Sequence, residues 1–444
     1  MPATPNLFSD SKLIEAAVAF FADAESAVAR TVDEVGDAMR DGEGWTSHSG
    51  VTFIQRPAVR GSQGALVEAI LRKLGPRSGH EDEIRSTTWR GAAQWLTASE
   101  RTPPEDAARL MLRTIGETAD VTADLVIPNY TFRRAQGVSG ARIGPVEILD
   151  SEIAKARVDA LDNEHVRFAI DHGRGTSIRD SAVEVSYPGT CWWVRVGAAE
   201  RNIRDEGAWL IDTAISLARF LHRPWGGLAV GHKDREPHAF EPVPMDQSGM
   251  FFVGTKVSTG GRTAARYYEL DATAVAALES DRAISIATSI FEPLKNSVGL
   301  RVGLALPWLT RARRTSDRSE ALLFYFTALE TLLAPGKGEP ISQTISRQIP
   351  VILRDRPASR KSLFQRMRQL YDMRSTLVHS GRRSALASDV RTMSVITDRV
   401  FMRIVNEVDL TTSVDDLIGS LNDATFGDAW TSPTAALPSA SDED

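Results

Sequence analysis

Between residues 363 and 377, five positions recur at the three-and-four spacing of one helix face: Leu363, Met367, Leu370, Arg374 and Leu377. Four are apolar and the fifth is an arginine. An apolar stripe has to be covered, so this helix packs against another element and takes the arginine in with it. Burying an unpaired guanidinium is costly, so the position demands a carboxylate, a phosphate or a cleft. His379 follows five residues later, and Ser380-Gly381 then reads as a helix stop.

The spacing around this segment is helical as well. It predicts helices over residues 282–296, 298–313, 317–334, 342–354, 358–379 and 386–408. Residues 13–39, 64–74, 88–98 and 104–124 also read as helices. Pro103-Pro104 followed by Glu105-Asp106 makes a good start for the last of these, since proline is tolerated in the first turn and acids favour that end. The middle changes character. Residues 183–196 carry β-branched and aromatic side chains with partial alternation, interrupted by a Pro188-Gly189 turn. Residues 249–257 and 264–270 read as a hairpin pair around Thr259-Gly260-Gly261-Arg262, and 198–221 as a long amphipathic helix.

A chain of 444 residues is too long for one ordinary core. The expected fold is mainly α with a mixed α+β middle region. We divide it into a helical region (1–130), a mixed α+β domain (131–275), a helical domain (276–412) and an acidic tail (413–444) expected to be disordered. One cysteine, Cys191, rules out an intrachain disulfide and most cysteine-based metal sites. No apolar run is long enough to span a bilayer and no signal pattern opens the chain, so a soluble cytoplasmic protein is expected, with no membrane partner. No metal and no cofactor are expected. The His232 and His238 pair suits no common zinc spacing, and Gly336-Lys337-Gly338 lacks the spacing of a phosphate loop. Of Trp192 and Trp193, pleating should turn one into the core and leave the other exposed.

Net charge is −6, yet ten basic residues lie between Arg347 and Arg383 against only Asp355 and Asp372. That segment is +8 by formal charge and the rest of the chain is −14. A local basic patch on an acidic protein can still hold a phosphate backbone. The competing reading is a solvated arginine-rich helix face.

Two stretches carry a family resemblance. Residues 321–334 read Ala-Leu-Leu-Phe-Tyr-Phe-Thr-Ala-Leu-Glu-Thr-Leu-Leu-Ala, and 363–381 read Leu-Phe-Gln-Arg-Met-Arg-Gln-Leu-Tyr-Asp-Met-Arg-Ser-Thr-Leu-Val-His-Ser-Gly. Together they resemble the helices of a HEPN domain, most closely its Apea-like branch, over about residues 297–410. The resemblance implies a HEPN-type helical bundle and a metal-independent endoribonuclease. Arg374 and His379 match the two catalytic positions, and Ser375 stands where many members have Asn, Asp or His. Members usually act as dimers, with two such helices facing each other across one cleft.

The chemistry fits that implication. RNA supplies its own nucleophile, the 2′-hydroxyl, so the protein needs only a group that moves a proton and a fixed cation beside the phosphorane. Histidine titrates near working pH, and arginine presents a planar, permanently charged fork to two phosphate oxygens. The products would be a 2′,3′-cyclic phosphate and a 5′-hydroxyl, and DNA would not be cut. Five residues along a helix separate two side chains by about 140°. Either the helix ends before His379 or a second subunit supplies the other half of the site.

Glu330 borders the apolar stripe of its own helix and is expected to pair with a basic residue of the 358–379 helix, such as Arg374. Asp372 is a further supporting candidate. Arg347, Arg366, Arg368, Arg382 and Arg383 are the expected phosphate contacts. The leading expectation is an RNA-cutting effector of a toxin or antiphage (abortive infection) system. Its partners would be RNA, a second copy of the chain, and an antitoxin or phage-derived trigger, with sensing or restraint in the N-terminal part. The alternatives are a non-catalytic HEPN module for RNA binding or protein assembly, and a structural helical protein in which Arg374 is simply salt-bridged.

Overall fold

The computed structural model describes residues 6–119, 121–129, 131–160, 190–222, 225, 250–253, 256–259, 268–315, 317–334, 340–354, 356–380, 385–426 and 430–433. Fifteen α-helices and ten short strands lie among the described residues, so the fold is mainly α with a small mixed sheet region. The chain divides into two compact units, one of residues 1–125 with 195–207, the other of 126–194 with 208–444.

In the first unit, α1 (Ser11–Ser26), α3 (Pro57–Ser78), α4 (Glu81–Thr97) and α5 (Pro104–Ala119) enclose an apolar core. Phe20 of α1 meets the edge of Trp89 at 5.2 Å, and Phe53 lies 4.8 Å from the same ring. The single helix expected over residues 13–39 is two. After α1 the chain pairs with the strand holding Phe53, Ala29 N–H donating to the Thr52 carbonyl at 2.8 Å. Thr31 then caps α2 (Val32–Arg40) by accepting from Glu34 N–H. The all-helical expectation also missed the hairpin β1 (Gly44–His48) and β2 (Val51–Gln55). Its turn residues Ser49 and Gly50 both have positive φ, 47° and 79°, as a two-residue hairpin turn requires.

In the second unit, β5 (Gly140–Ile143) and β6 (Val146–Asp150) pair antiparallel, and β6 pairs antiparallel with residues 190–194 of β7 (Thr190–Ala198); β3 (Val121–Pro128) precedes them in the chain. Trp192 and Trp193 are both buried, at 0% and 8% exposure, so the expected exposed neighbour is absent. The sheet is covered on both faces there. Trp192 meets Phe132 edge-on at 5.6 Å, while Trp193 packs with Leu149, Ala154 and Val158 beside α6 (Ser151–Asp159).

The expected hairpin pairing of 249–257 with 264–270 is corrected. β8 (Met250–Val253) pairs with β9 (Lys256–Thr259), whereas β10 (Tyr268–Leu270) lies parallel to the distant β4 (Phe132–Arg134). Pro188-Gly189, the His232–His238 stretch and Gly336-Lys337-Gly338 lie outside the described residues.

The boundary expected near residue 275 is not where the units divide. From Ala208 onward, α7 (Ile203–Leu221) is packed among the C-terminal helices α10 (Val298–Arg314) and α14 (Ala387–Glu407). Asp212 pairs with Arg311 and Arg314, and Asp398 with Arg313 and Arg219. Ser216 and Thr310 share a hydrogen bond, and Phe220 stacks on Phe401. Pairing offsets the cost of taking these charges out of water.

The remaining helices are α8 (Ala272–Leu278), α9 (Asp281–Phe291), α11 (Arg318–Leu333), α12 (Ile341–Leu353), α13 (Pro357–Ser380) and α15 (Val414–Asp423). In the tail expected to be disordered from residue 413, Val414–Asp423 form α15 and Ala424–Phe426 a 3-10 turn, and residues 430–433 are also described. Ser413 caps α15, Leu417 and Leu421 are buried, and the Trp430 indole N–H donates to Ser420 Oγ at 3.1 Å. Residues 434–444 lie outside the described set.

Candidate functional site

The site is built where the end of α11 meets the C-terminal half of α13. α11 is buried around most of its circumference, Leu322, Phe326, Leu329 and Leu333 among its core residues. Glu330 is carried on the remaining edge, with its side chain 18% exposed. α13 contributes Met367 and Leu370 to the core, both fully buried. Leu363 and Leu377, expected on the same stripe, are only half-buried. No residue from 371 to 380 is fully buried, and exposure increases towards the helix end, with Val378, His379 and Ser380 all exposed.

Arg374, with its side chain 28% exposed, donates from Nη2 to Glu330 Oε2 at 3.2 Å. The Tyr371 hydroxyl donates to the other carboxylate oxygen at 2.7 Å. The Tyr371 ring is fixed in turn by Phe326, edge-on at 5.1 Å, and lies 5.6 Å from the guanidinium carbon of Arg374. Burial, together with the hydrogen bond and negative charge of Glu330, pushes the Tyr371 hydroxyl up to about 12. It therefore remains a proton donor at any ordinary pH. Arg374 Nε is also buried and has no hydrogen-bond partner. Tyr371 is the member that reading the sequence missed. Its signal was present: a hydroxyl-bearing ring one turn before Arg374 needs an acceptor once it is buried.

His379 stands apart from this cluster. α13 continues through it to Ser380, so the helix does not unwind before the histidine. The offset of about 140° between residues 374 and 379 therefore holds, and His379 is exposed, with no hydrogen bond or ion pair among the described residues. It shares its helix face with Lys361, Arg368 and Asp372, which lie 18, 11 and seven residues earlier and within about 20° of its direction. All three are exposed. Ser375, half-buried, lies one turn before His379. Glu330, Tyr371 and Arg374 are thus brought together, and His379 and Asp372 are not among them.

The expected phosphate contacts separate by partner. Arg347 is half-buried and donates to Asn422 Oδ1 at 3.3 Å. Arg366 is paired with Asp389 at 2.7 Å. Arg368 is exposed, as are Arg356 and Lys361. Arg360, only 8% exposed, donates to the carbonyls of Arg354 and Ala424 at 2.8 and 2.7 Å. Arg382 and Arg383 lie outside the described residues. Among the described residues no group of three or more His, Cys, Asp or Glu side chains is placed to hold a metal ion, and no helix is long and apolar enough to cross a membrane.

No protein-family model, no curated protein and no solved structure matches this chain.

Proposed function

We propose that the chain is a metal-independent endoribonuclease of the HEPN type, with Arg374 as the phosphate-binding cation and His379 as the proton-transfer group. The observation that supports this reading is the placement of the Arg-x4-His segment on a helix end that is only partly covered by the described residues. Arg374 is anchored there by Glu330, which Tyr371 also holds, and His379 is exposed on the helix face that carries Lys361 and Arg368 further back. One helix cannot bring both side chains to one phosphate. The reading therefore requires a second copy, whose α13 faces the first so that the arginine of one and the histidine of the other flank a single scissile bond. The half-exposed Leu377 and the 51%-exposed Val378 offer apolar surface for that contact. In this reading RNA is the substrate, the setting is a toxin or antiphage system, and an antitoxin or trigger acts on the chain.

A second reading, a non-catalytic HEPN module that binds RNA or assembles proteins, is favoured by one observation: Glu330 already partners the Arg374 guanidinium. The test incubates purified protein with RNA beside Arg374→Ala and His379→Ala. Cleavage by the wild type, lost in either variant, indifferent to chelator and ending in 2′,3′-cyclic phosphates, supports the nuclease. RNA retention without cleavage, and no toxicity on expression, transfers the assignment to the binding module.

A further inference from the structure

The ion pair that anchors Arg374 is looser than its two partners could make it. A guanidinium and a carboxylate left to themselves form two parallel hydrogen bonds of about 2.7–2.9 Å, fork to fork. Here there is one, from Arg374 Nη2 to Glu330 Oε2, and it is 3.2 Å long. Nε, which shares an edge of the guanidinium with Nη2, is buried and has no partner. The second carboxylate oxygen is already engaged. The Tyr371 hydroxyl donates to Oε1 at 2.7 Å, the shorter of the two side-chain bonds that Glu330 accepts.

Tyr371 is placed to keep that oxygen. It stands one turn before Arg374 on α13, and Phe326 of α11 holds its ring edge-on at 5.1 Å. Burial first, and Glu330 second, push its hydroxyl up to about 12, so it donates at every working pH. Oε1 held in this way does not reach Nε. Arg374 Nη1 makes no hydrogen bond among the described residues, and the side chain is 28% exposed. The guanidinium is thus tied by one long bond, with its remaining donors unused.

We propose that Tyr371 is a positioning residue: by occupying Glu330 Oε1 it keeps the Glu330–Arg374 pair single, so that Arg374 is offered to a phosphate of a nucleic-acid strand instead of being closed by its own partner. This rests on the reading of Arg374 as the phosphate-binding cation. Tyr371 itself touches no phosphate. Glu330 sets where the arginine waits, and Tyr371 sets how tightly it is held. Without the hydroxyl, Oε1 turns to Nε and the pair becomes bidentate. An incoming phosphate then has to displace two charge-assisted bonds instead of one.

The test measures binding of a short single-stranded 2′-deoxy oligonucleotide to the full chain at one fixed salt concentration; this probe offers phosphates and lacks the attacking hydroxyl. Tyr371→Phe keeps the ring against Phe326 and is expected to bind about tenfold more weakly, the worth of one charge-assisted hydrogen bond. Glu330→Gln cannot form the charged pair and should bind at least as tightly as the wild type. Tyr371→Phe combined with Glu330→Gln should recover wild-type affinity. That rescue separates positioning from packing, because a ring needed only for packing gives a loss that Glu330→Gln does not repair. Wild-type affinity in Tyr371→Phe, or a loss that persists in the double variant, overturns the proposal. So does a wild type that does not bind the strand, or whose binding Arg374→Ala leaves unchanged. Glu330→Gln alone, which does not depend on the folding of Tyr371→Phe, overturns it by binding more weakly than the wild type. RNA cleavage by the same variants keeps the two assignments apart. An inactive wild type with the rescue intact removes the nuclease and leaves Tyr371 its role. Full-rate cleavage by Tyr371→Phe beside an inactive Arg374→Ala removes the role and leaves the nuclease.

Discussion

Replacing Glu330 by alanine removes the carboxylate that two donors of α13 share. An exposed ion pair is worth about 0–1 kcal/mol, and breaking a fully buried one costs about 3–5 kcal/mol. The side chains here are 18% and 28% exposed, between those limits and nearer the buried one. The change also strands the Tyr371 hydroxyl, whose lost bond adds about 1 kcal/mol. Glu330→Ala should therefore destabilise the second unit by about 2–3 kcal/mol. Glu330→Gln, which keeps an acceptor for Tyr371, should cost about 1 kcal/mol less. Denaturant unfolding of Glu330→Ala, Arg374→Met and the double variant gives the pair's own coupling, expected at about 1–2 kcal/mol. Separate sites add to within about 0.3–0.5 kcal/mol, so a coupling no larger than that would refute the idea that Glu330 anchors Arg374.

Three further outcomes follow. The Tyr371 hydroxyl is held above its ordinary value of 10, so the folded state keeps a proton that the unfolded state releases, and stability should fall as pH rises from about 10 towards 12; melting curves over that range should show a shallower fall for Tyr371→Phe. Arg360→Ala leaves the carbonyls of Arg354 and Ala424 without their donor and should cost about 2–3 kcal/mol in urea unfolding, with no change in RNA affinity. Lys361→Ala with Arg368→Ala should weaken RNA binding and lower its salt slope by about 1.4 for single strands, while Arg347→Ala should leave the slope unchanged; a slope unaltered by the first pair removes that face of α13 from the RNA contact.

The helices of the second half were readable because each is long and carries its own apolar period. The expectation of 298–313 against the observed Val298–Arg314 is typical. The strands were not readable by the same route. Residues 121–124 follow α5 and read as the end of the helix expected over 104–124, although they open β3. The partner of β10 lies more than 130 residues earlier, on β4, and no local turn signal can announce a parallel pairing of that range. α7 read as a long amphipathic helix inside the middle domain expected at 131–275. Asp212 and Arg219 are instead buried, at 3% and 2%, each against an opposite charge from a C-terminal helix.

The same limit explains the basic run. A formal count of +8 treats ten cations as one patch, but a count cannot know which have partners. Arg360 closes two backbone carbonyls, Arg366 holds Asp389 at the start of α14, and Arg374 holds Glu330. Among the described members, those turned freely to solvent are Arg356, Lys361 and Arg368. Two of these three lie on the helix face that ends in His379, and neither lies on the face of Arg374. Any phosphate chain that reaches His379 along α13 therefore meets Lys361 and Arg368 first and passes Asp372, a like charge, just before the histidine. Arg374 is reachable only from the other side of the same helix. A chemistry that uses both residues on one phosphate would need two helices, which is what the proposed two-copy cleft would supply.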